Sequence, residues 1–315
     1  MTRSKFRSPA AAILAASLAF FLSAHASATI VRFQTSSGNV DVRLYNSATP
    51  NSVANFLTYV TTNSYDGSFV HRVPQLPAGG TSNFVVQGGG FRLNNSIFAA
   101  TAIPANPPIG DEPHFSNTRG TLVLAKGPLG ATSQWYFNLA NNSFLDAQGF
   151  SPFGRVLGTG MNVVDAINSL PTVNAAVAQN APGEDFDEIP VRDFNQVFAQ
   201  GDITANEAVM INISVLDLPA GDYDFNGVVN AADFNVWQST LGSTLNAAAD
   251  GNGDGIVNAP DYDIWASSVP EPSTTILFVT ACLLLPTRRL PHSPFHTPSS
   301  RSSASSGVNR DHAKN

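Results

Sequence analysis

Two twelve-residue segments in the C-terminal third carry oxygen-bearing side chains at matching positions, 222–233 and 250–261. Each has a glycine at its sixth position, Gly227 and Gly255. This spacing suits a hard cation that needs about six to eight oxygen ligands, and the glycine permits the sharp turn. The pattern therefore predicts two structural Ca²⁺ sites. Their ligands would be Asp222, Asp224, Asn226, Val228 (backbone carbonyl), Asn230 and Asp233, and then Asp250, Asn252, Asp254, Ile256 (backbone carbonyl), Asn258 and Asp261.

Both loops end in Asp where Glu is usual, and one helical segment is expected after each, at 235–245 and 262–267. The pair is similar to the dockerin type I family. The resemblance implies a small α-helical module over 219–268 that binds a cohesin-like partner. Because metal binding and folding are coupled in such small units, the module should lose its fold without calcium. The alternative, an acidic solvated linker, explains one such loop but not two in register.

A second group of motifs lies upstream and follows a fixed order. The segments are FVHRV at 69–73, FVVQGGGF at 84–91, SQWYFN at 133–138, FLD at 144–146 and FGRV at 153–156. In this order they resemble the cyclophilin family of peptidyl-prolyl cis-trans isomerases, with an insertion between the first two segments. The resemblance covers roughly 29–218. It implies an eight-stranded antiparallel barrel capped by two helices, with a peptide groove on its outer face.

The resemblance also implies roles for single residues, with Arg72 at the catalytic position. Phe144 replaces the tryptophan associated with tight cyclosporin binding, which implies weak cyclosporin affinity. Phe150 stands near the usual histidine position, and His71 is expected to be structural. An apolar proline pocket and two amides that bond the substrate backbone complete the groove. The expected substrate-binding residues are Phe84, Val85, Gln87, Gln134, Tyr136, Phe144, Leu145 and Phe150.

This set of residues makes chemical sense for rotation about an X-Pro bond. A planar amide resists rotation by about 18–20 kcal/mol because its nitrogen lone pair is delocalised. Twisting localises that lone pair, so a guanidinium aimed at the nitrogen binds the twisted state better than either planar state. Catalysis would need no nucleophile and no cofactor.

The elements that must hold these residues follow from hydrophobic periodicity. Alternation at 30–34 and 40–45 predicts a hairpin, and Thr49-Pro50 predicts the start of an amphipathic helix. A second helix is expected around 163–170 and a closing strand at 208–218. Many short strands with two helices favour a mainly antiparallel barrel. The segments 74–83 and 172–206 are expected to be surface loops.

Composition limits the possible partners. The 315-residue chain is 43% hydrophobic and carries a net charge of −7, with its basic residues scattered. Nucleic acid is therefore not an expected partner, since phosphate binding needs clustered Lys and Arg. Cys282 is the single cysteine and cannot form an internal disulfide.

Both termini suggest export. A basic region, an apolar run and Ala26-Ser27-Ala28 predict a cleaved signal peptide over 1–28, with an uncleaved anchor as the alternative. Val-Pro-Glu-Pro-Ser, a short apolar run and Arg288-Arg289 resemble the PEP-CTERM sorting signal over 269–289, which implies transient membrane contact. A disordered tail is expected over 290–315. The alternative to a sorting signal is that the apolar run also belongs to a disordered tail and is apolar by chance. The mature protein would be periplasmic, at the cell surface or extracellular.

Two functions compete at this level. The first is a prolyl isomerase that acts on proline-containing segments of exported proteins. The second is a non-catalytic extracellular scaffold whose barrel binds peptide and whose dockerin-like module sets its location. A hydrolase is less favoured, because the sequence contains no Gly-x-Ser-x-Gly or His-Glu-x-x-His motif.

Overall fold

The computed structural model describes residues 27–76, 82–175 and 186–270. These residues belong to one compact unit. Most of the predicted signal peptide, nearly all of the predicted sorting segment, the tail and Cys282 lie outside the described residues. None of the helices in the described ranges has the length and apolar character needed to cross a membrane.

The described residues are mainly β-structure. The strands are β1 Ile30–Thr35, β2 Gly38–Leu44, β3 Ser68–Phe69, β4 Gln75–Leu76, β5 Ser82–Asn83, β6 Val85–Gly88, β7 Phe91–Asn94, β8 Ser96–Ala102, β9 Thr121–Gly127, β10 Gly130–Asn138, β11 Pro152–Val156, β12 Thr172–Val173, β13 Ile189–Pro190 and β14 Met210–Val215. The helices are α1 Pro50–Thr61, α2 Gly160–Asn168, α3 Phe194–Gln200, α4 Ala231–Thr240 and α5 Ala259–Ser268, with a 3₁₀ helix at Ser143–Gln148.

Ten strands form one antiparallel sheet in the order β6-β10-β9-β11-β2-β1-β14-β3-β7-β8. The sheet curls back on itself just after β3. There, the His71 N–H donates to the Gln87 carbonyl at 3.2 Å, and the Gln87 N–H donates to the Arg72 carbonyl at 2.9 Å. We call this curled sheet the barrel. The predicted mainly β fold is confirmed, but the sheet has ten strands, whereas eight were expected.

The first helix begins where the sequence predicted, but its cap is different. Thr49 makes no capping bond through its side chain, and its hydroxyl instead donates to the Tyr45 carbonyl. The carboxylate of Glu112 accepts from the backbone N–H groups of Asn51 and Ser52 at 3.1 and 2.8 Å. A carboxylate favours a helix N-terminus through its free N–H groups and dipole. The cap is therefore supplied by a residue distant in sequence.

The barrel core is built around aromatic side chains. Phe33, Trp135 and Phe137 pack edge to face, with ring centroids 4.9–5.4 Å apart. Trp135 is 1% exposed. Gly89, with φ +77°, passes close to it, and a Cβ at this position would lie 2.7 Å from the Ser133 carbonyl oxygen. A glycine in the Gly-Gly-Gly segment is therefore required by the packing of the core.

The prediction of a surface loop at 172–206 is wrong for its described part. The segment forms β12, β13 and α3 and contributes to a second hydrophobic cluster beside β3. Phe186 stacks on Phe69 at 6.1 Å and contacts Phe91 at 4.7 Å. The apolar runs of this segment are too short and too irregular to predict a helix or strand. Their place in the core is therefore visible only from contacts with residues distant in sequence. In the predicted loop at 74–83, β4 pairs with β5, while 77–81 lie outside the described residues.

The two acidic loops each lead into a helix, as predicted, but the helices begin earlier than expected, at Ala231 and Ala259. The cause is the last aspartate of each loop. Asp233 accepts from the Asn230 N–H at 2.8 Å, and Asp261 accepts from the Asn258 N–H at 2.7 Å. Each aspartate therefore belongs to the first turn of its helix and caps it.

Candidate active site and acidic loops

Arg72 lies at the point where the sheet closes. Its backbone pairs with Gln87 of β6, so the two residues are fixed side by side. The Arg72 side chain is about a quarter exposed, and its Nε donates to Asp187 Oδ1 at 3.1 Å. The cation is therefore held at the barrel surface, where a peptide could reach it.

The two predicted backbone-binding amides are in direct contact. Gln87 Nε2 donates to Gln134 Oε1 at 2.7 Å, and both side chains are half-buried. Gln87 also pairs across β6 and β10 with Tyr136. The adjacency of Arg72, Gln87 and Gln134, proposed from separated motifs, is thus a consequence of strand pairing.

The predicted pocket residues also come together. Val85, Tyr136 and Leu145 are buried in one small cluster with Val123, and Phe84 and Phe150 pack against it. Phe144 lies at its edge, 51% exposed, with its ring stacked on Phe84 at a centroid distance of 6.0 Å. This gives an apolar surface next to the arginine, of the kind that accepts a proline ring.

The Tyr136 hydroxyl is bonded within the protein. It donates to Asn117 Oδ1 at 3.0 Å, and burial raises the pKa of Tyr136, so the hydroxyl stays protonated. Asn117 is fixed in turn, since its side-chain amide donates to Asp146 Oδ1 and to the Phe150 carbonyl, both at 2.8 Å. The hydroxyl therefore braces the pocket.

His71 is wholly buried between Phe69 and Phe91, in edge-to-face contact with both rings. Burial, together with the positive charge of Arg72, lowers the pKa of His71 to about 3. The imidazole is therefore neutral at physiological pH and is shielded from solvent. This environment agrees with a structural role.

A cavity of about 350 Å³ opens beside Arg72. Its lining includes two acidic residues, Asp187 and Glu188, and the aromatic residue Phe84. Burial raises the pKa of Glu188, as does the neighbouring Asp187. The sequence motifs mark neither acid, because both lie in the segment expected to be a loop. The only available signal was the acidic character of that segment.

Comparison with known proteins identifies this arrangement. The family model for the cyclophilin type peptidyl-prolyl cis-trans isomerase/CLD matches residues 30–187. The chain belongs to the cyclophilin family. Membership confirms the predicted activity, isomerisation of X-Pro peptide bonds.

Curated cyclophilins support the same conclusion. A peptidyl-prolyl cis-trans isomerase from Acinetobacter baylyi is 42% identical over 170 residues, which is 51% of this chain and 84% of the relative. Isomerase A of Dickeya dadantii is 37% identical over 185 residues, 56% of this chain and 90% of the relative. Isomerase B of Escherichia coli is 32% identical over 167 residues, 50% of this chain and 94% of the relative.

The acidic loops of this cyclophilin have ligand-like geometry. In the first loop, carboxylate oxygens of Asp222, Asp224 and Asp233 lie within 4.8 Å of one another. Asp222 and Asp233 are almost fully buried. Asp222 accepts from the N–H groups of Asn226 and Gly227 at 3.1 and 2.8 Å, which bends the loop around it. Three close carboxylates repel each other unless a cation lies between them.

The second loop repeats these bonds at equivalent positions. Asp250 accepts from the N–H groups of Asp254 and Gly255 at 3.1 and 3.0 Å, and both Asp250 and Asp261 are fully buried. Burial raises the pKa of Asp250 to about 7. Asn258 Oδ1 is buried without a hydrogen-bond partner in the described part of the chain. The first loop therefore fits a dication, and the second loop has the same fold around its buried aspartates.

Proposed function

We propose that Arg72 is the catalytic residue of this isomerase and that the substrate is a proline-containing segment of an exported protein. The observation that carries the assignment is the position of Arg72, paired with Gln87 and beside the apolar cluster around Phe84. In such a groove the proline ring would pack on the apolar surface. The guanidinium would then face the twisting amide nitrogen.

The energetic contribution of Arg72 has an upper limit. A charge-assisted hydrogen bond stabilises by about 1.5–3 kcal/mol, which corresponds to roughly one to two decades of rate. The remaining acceleration would come from the fixed orientation of the peptide and from the exclusion of water around the developing dipole. Gln87 and Gln134 would supply the orientation by bonding the peptide backbone.

Relaxation of short X-Pro peptides from cis to trans tests this assignment, because the uncatalysed exchange takes tens of seconds. The full chain would be compared with Arg72→Ala and with the matched control Arg92→Ala. Arg92 is another barrel arginine, and its Nε donates to the Ser64 carbonyl. We expect a loss of about tenfold or more in kcat/KM for Arg72→Ala only. Equal activity of the two variants would rule out the assignment.

We also propose that the dockerin-like module, 219–268, binds two Ca²⁺ ions and a cohesin-like partner. The duplicated ligand spacing and the buried carboxylates support calcium. The side chains that would hold the ions are the oxygen-bearing residues at loop positions 1, 3, 5, 9 and 12, and calcium would supply the charge that keeps the carboxylates together. Titration calorimetry with Ca²⁺ should show two sites, and Mg²⁺ is the matched control because its ideal octahedral geometry suits these loops poorly.

Export, cleavage and sorting complete the proposal. The small-residue site at 26–28 and the proline-glutamate-proline motif support processing at both ends. Mass spectrometry of the mature protein, recovered from each cell fraction, would test it. A full-length chain found in the cytoplasm would contradict the proposal.

A further inference from the structure

The barrel and the acidic loops share a bonded interface centred on Arg43. This residue lies on β2 and is 3% exposed. Its two terminal nitrogens donate to the carbonyls of Asp250 and Ala248, both at 2.8 Å. Its guanidinium also lies 5.8 Å from the ring centroids of Tyr223 and Phe225 in the first loop. One barrel side chain therefore contacts both loops.

Further barrel donors bind the backbone of the second loop. The Ser47 hydroxyl donates to the Asn252 carbonyl at 2.7 Å. The Ser47 N–H reaches the Gly253 carbonyl at 3.3 Å. Three carbonyls of this loop, those of Asp250, Asn252 and Gly253, thus accept bonds from the barrel. Arg155 adds a bond to the Leu245 carbonyl at 2.6 Å.

Close packing accompanies these bonds. A Cβ at Gly253 would lie 2.8 Å from the Leu44 carbonyl oxygen, and one at Gly255 would overlap the Phe115 ring. Ile30 and Leu157 of the barrel share an apolar cluster with Ala247 and Phe225. The loop backbone can therefore change conformation only if the barrel surface changes with it.

The charges match this arrangement. Each loop contains three carboxylates, and one dication per loop leaves a residual negative charge on each. The fixed positive charge of Arg43 lies between them. Burying an arginine is favourable only when it is well bonded and has compensating charge nearby. Ordered loops accept bonds from both terminal nitrogens of Arg43 and bring the compensating charges of Asp250, Asp261 and Asp222 near it, while Arg43 Nε has no hydrogen-bond partner among the described residues.

We propose that the calcium module and the isomerase barrel form one cooperative folding unit joined through Arg43, so that cation binding at the loops stabilises the catalytic barrel. The inference rests on the calcium binding proposed above. A ligand that binds only the folded state stabilises that state. Because coupling is reciprocal, a variant that weakens the coupling between barrel and loops also weakens calcium binding by the same free energy.

Hydrogen exchange, read peptide by peptide on the full chain in Ca²⁺ and in EGTA, tests the proposal. With free calcium at 100 times the Kd of each site, barrel amides that exchange through global unfolding should slow by about 100-fold for each bound ion, or about 10⁴-fold for two. We expect this slowing in β1 and β2 and also in β9 and β10. Slowing confined to 222–268 would overturn the inference.

Two variants test the interface around Arg43. Hydrogen exchange is the first measurement and titration calorimetry with Ca²⁺ is the second. Arg43→Met should reduce calcium-dependent slowing in the barrel to about threefold or less and weaken calcium binding. Ser47→Ala, a milder change at an exposed site, should weaken binding about two- to threefold even if the first variant fails to fold. Arg32→Met is the matched control, because Arg32 pairs with Asp41 within the barrel.

The outcomes distinguish a failure of the proposed coupling between barrel and calcium module from a failure of the proposed calcium binding itself. Calcium uptake with an unresponsive barrel would overturn the inference alone. No uptake in calorimetry would overturn both the inference and the proposed calcium sites. Wild-type affinity in both Arg43→Met and Ser47→Ala would exclude this interface as the connection.

Discussion

Arg72 donates through Nε to Oδ1 of Asp187 at 3.1 Å, across 115 residues of sequence. Asp187 belongs to the segment 172–206, whose described residues pack beside β3 in a second hydrophobic cluster. A long side chain with several rotatable bonds loses entropy when it is aimed at a substrate. A carboxylate on Nε fixes the arginine before the peptide arrives. The described part of the segment 172–206 thereby contributes a direct contact to the candidate active site.

Asp187→Asn is therefore expected to lower kcat about two- to fivefold with little change in KM, because the pair is partly exposed and such pairs contribute about 0.2–1 kcal/mol. Steady-state kinetics on X-Pro peptides measures both constants, and Asp187→Glu should restore most of the activity. The matched control is Asp165→Asn, which removes an exposed pair with Arg119. An increase in kcat for Asp187→Asn would show that the pair inhibits Arg72.

Tyr136→Phe should leave isomerase activity within about twofold of the wild type. The hydroxyl is bonded to Asn117 and braces the pocket, so its loss should reduce the free energy of unfolding by about 1 kcal/mol. Urea unfolding gives the stability, and peptide relaxation gives the activity. Asn117→Ala is the comparison, and it should cost more because Asn117 also bonds Asp146 and the Phe150 carbonyl. A tenfold fall in activity for Tyr136→Phe would instead place the hydroxyl in catalysis.

His71 should make the stability depend on pH. The folded pKa of about 3 lies below the ordinary value of about 6.5. The contribution of the neutral imidazole is therefore complete above pH 6.5 and is lost as pH falls towards 3, by up to about 1.4 kcal/mol per pH unit. His71→Leu should unfold in urea with a shallower pH slope than the wild type between pH 6.5 and 4. His114→Gln, at an exposed site, should keep the wild-type slope. Identical slopes for all three proteins would contradict the prediction.

Calcium binding to the two loops should be cooperative. Trp237 Nε1 donates to the Asn258 carbonyl at 2.8 Å, and Trp265 Nε1 donates to the Asn230 carbonyl at 2.9 Å. Each tryptophan thus bonds the ninth residue of the opposite loop. Trp237→Phe should weaken calcium binding about fivefold and reduce the cooperativity, since a net hydrogen bond contributes about 1 kcal/mol. Titration calorimetry measures both quantities. Tyr262→Phe keeps the aromatic packing and serves as the control, and an equal effect of both variants would argue against the crossed bonds.

The sequence predicted the catalytic half of the fold well, because its signals are local. The hairpin of β1 and β2, the start of α1 and the strands around Gln87 and Gln134 follow from alternation and periodicity. The order of the motifs was sufficient to predict that Arg72 lies beside Phe84 and Gln87. The adjacency of the site residues then followed from the family resemblance.

Contacts between distant residues could not be predicted in the same way. Glu112 caps α1 from 60 residues away, and Asp187 reaches Arg72 from an apparently irregular segment. Neither residue has a neighbour in sequence that marks its role. Arg43 is similar, since an arginine in a predicted strand is usually solvated, whereas here it is buried against the acidic loops.

The position of Arg43 also sets an order of events during synthesis. Its partner Asp250 lies 207 residues further along the chain, and β1 pairs with β14 near residue 215. A chain that grows from its N-terminus must keep β1 and β2 without these partners until most of its length has been made. Contacts of such long separation close slowly, because the loop entropy is lost before the contacts form. The first two strands to be synthesised are therefore among the last parts of the enzyme to be completed.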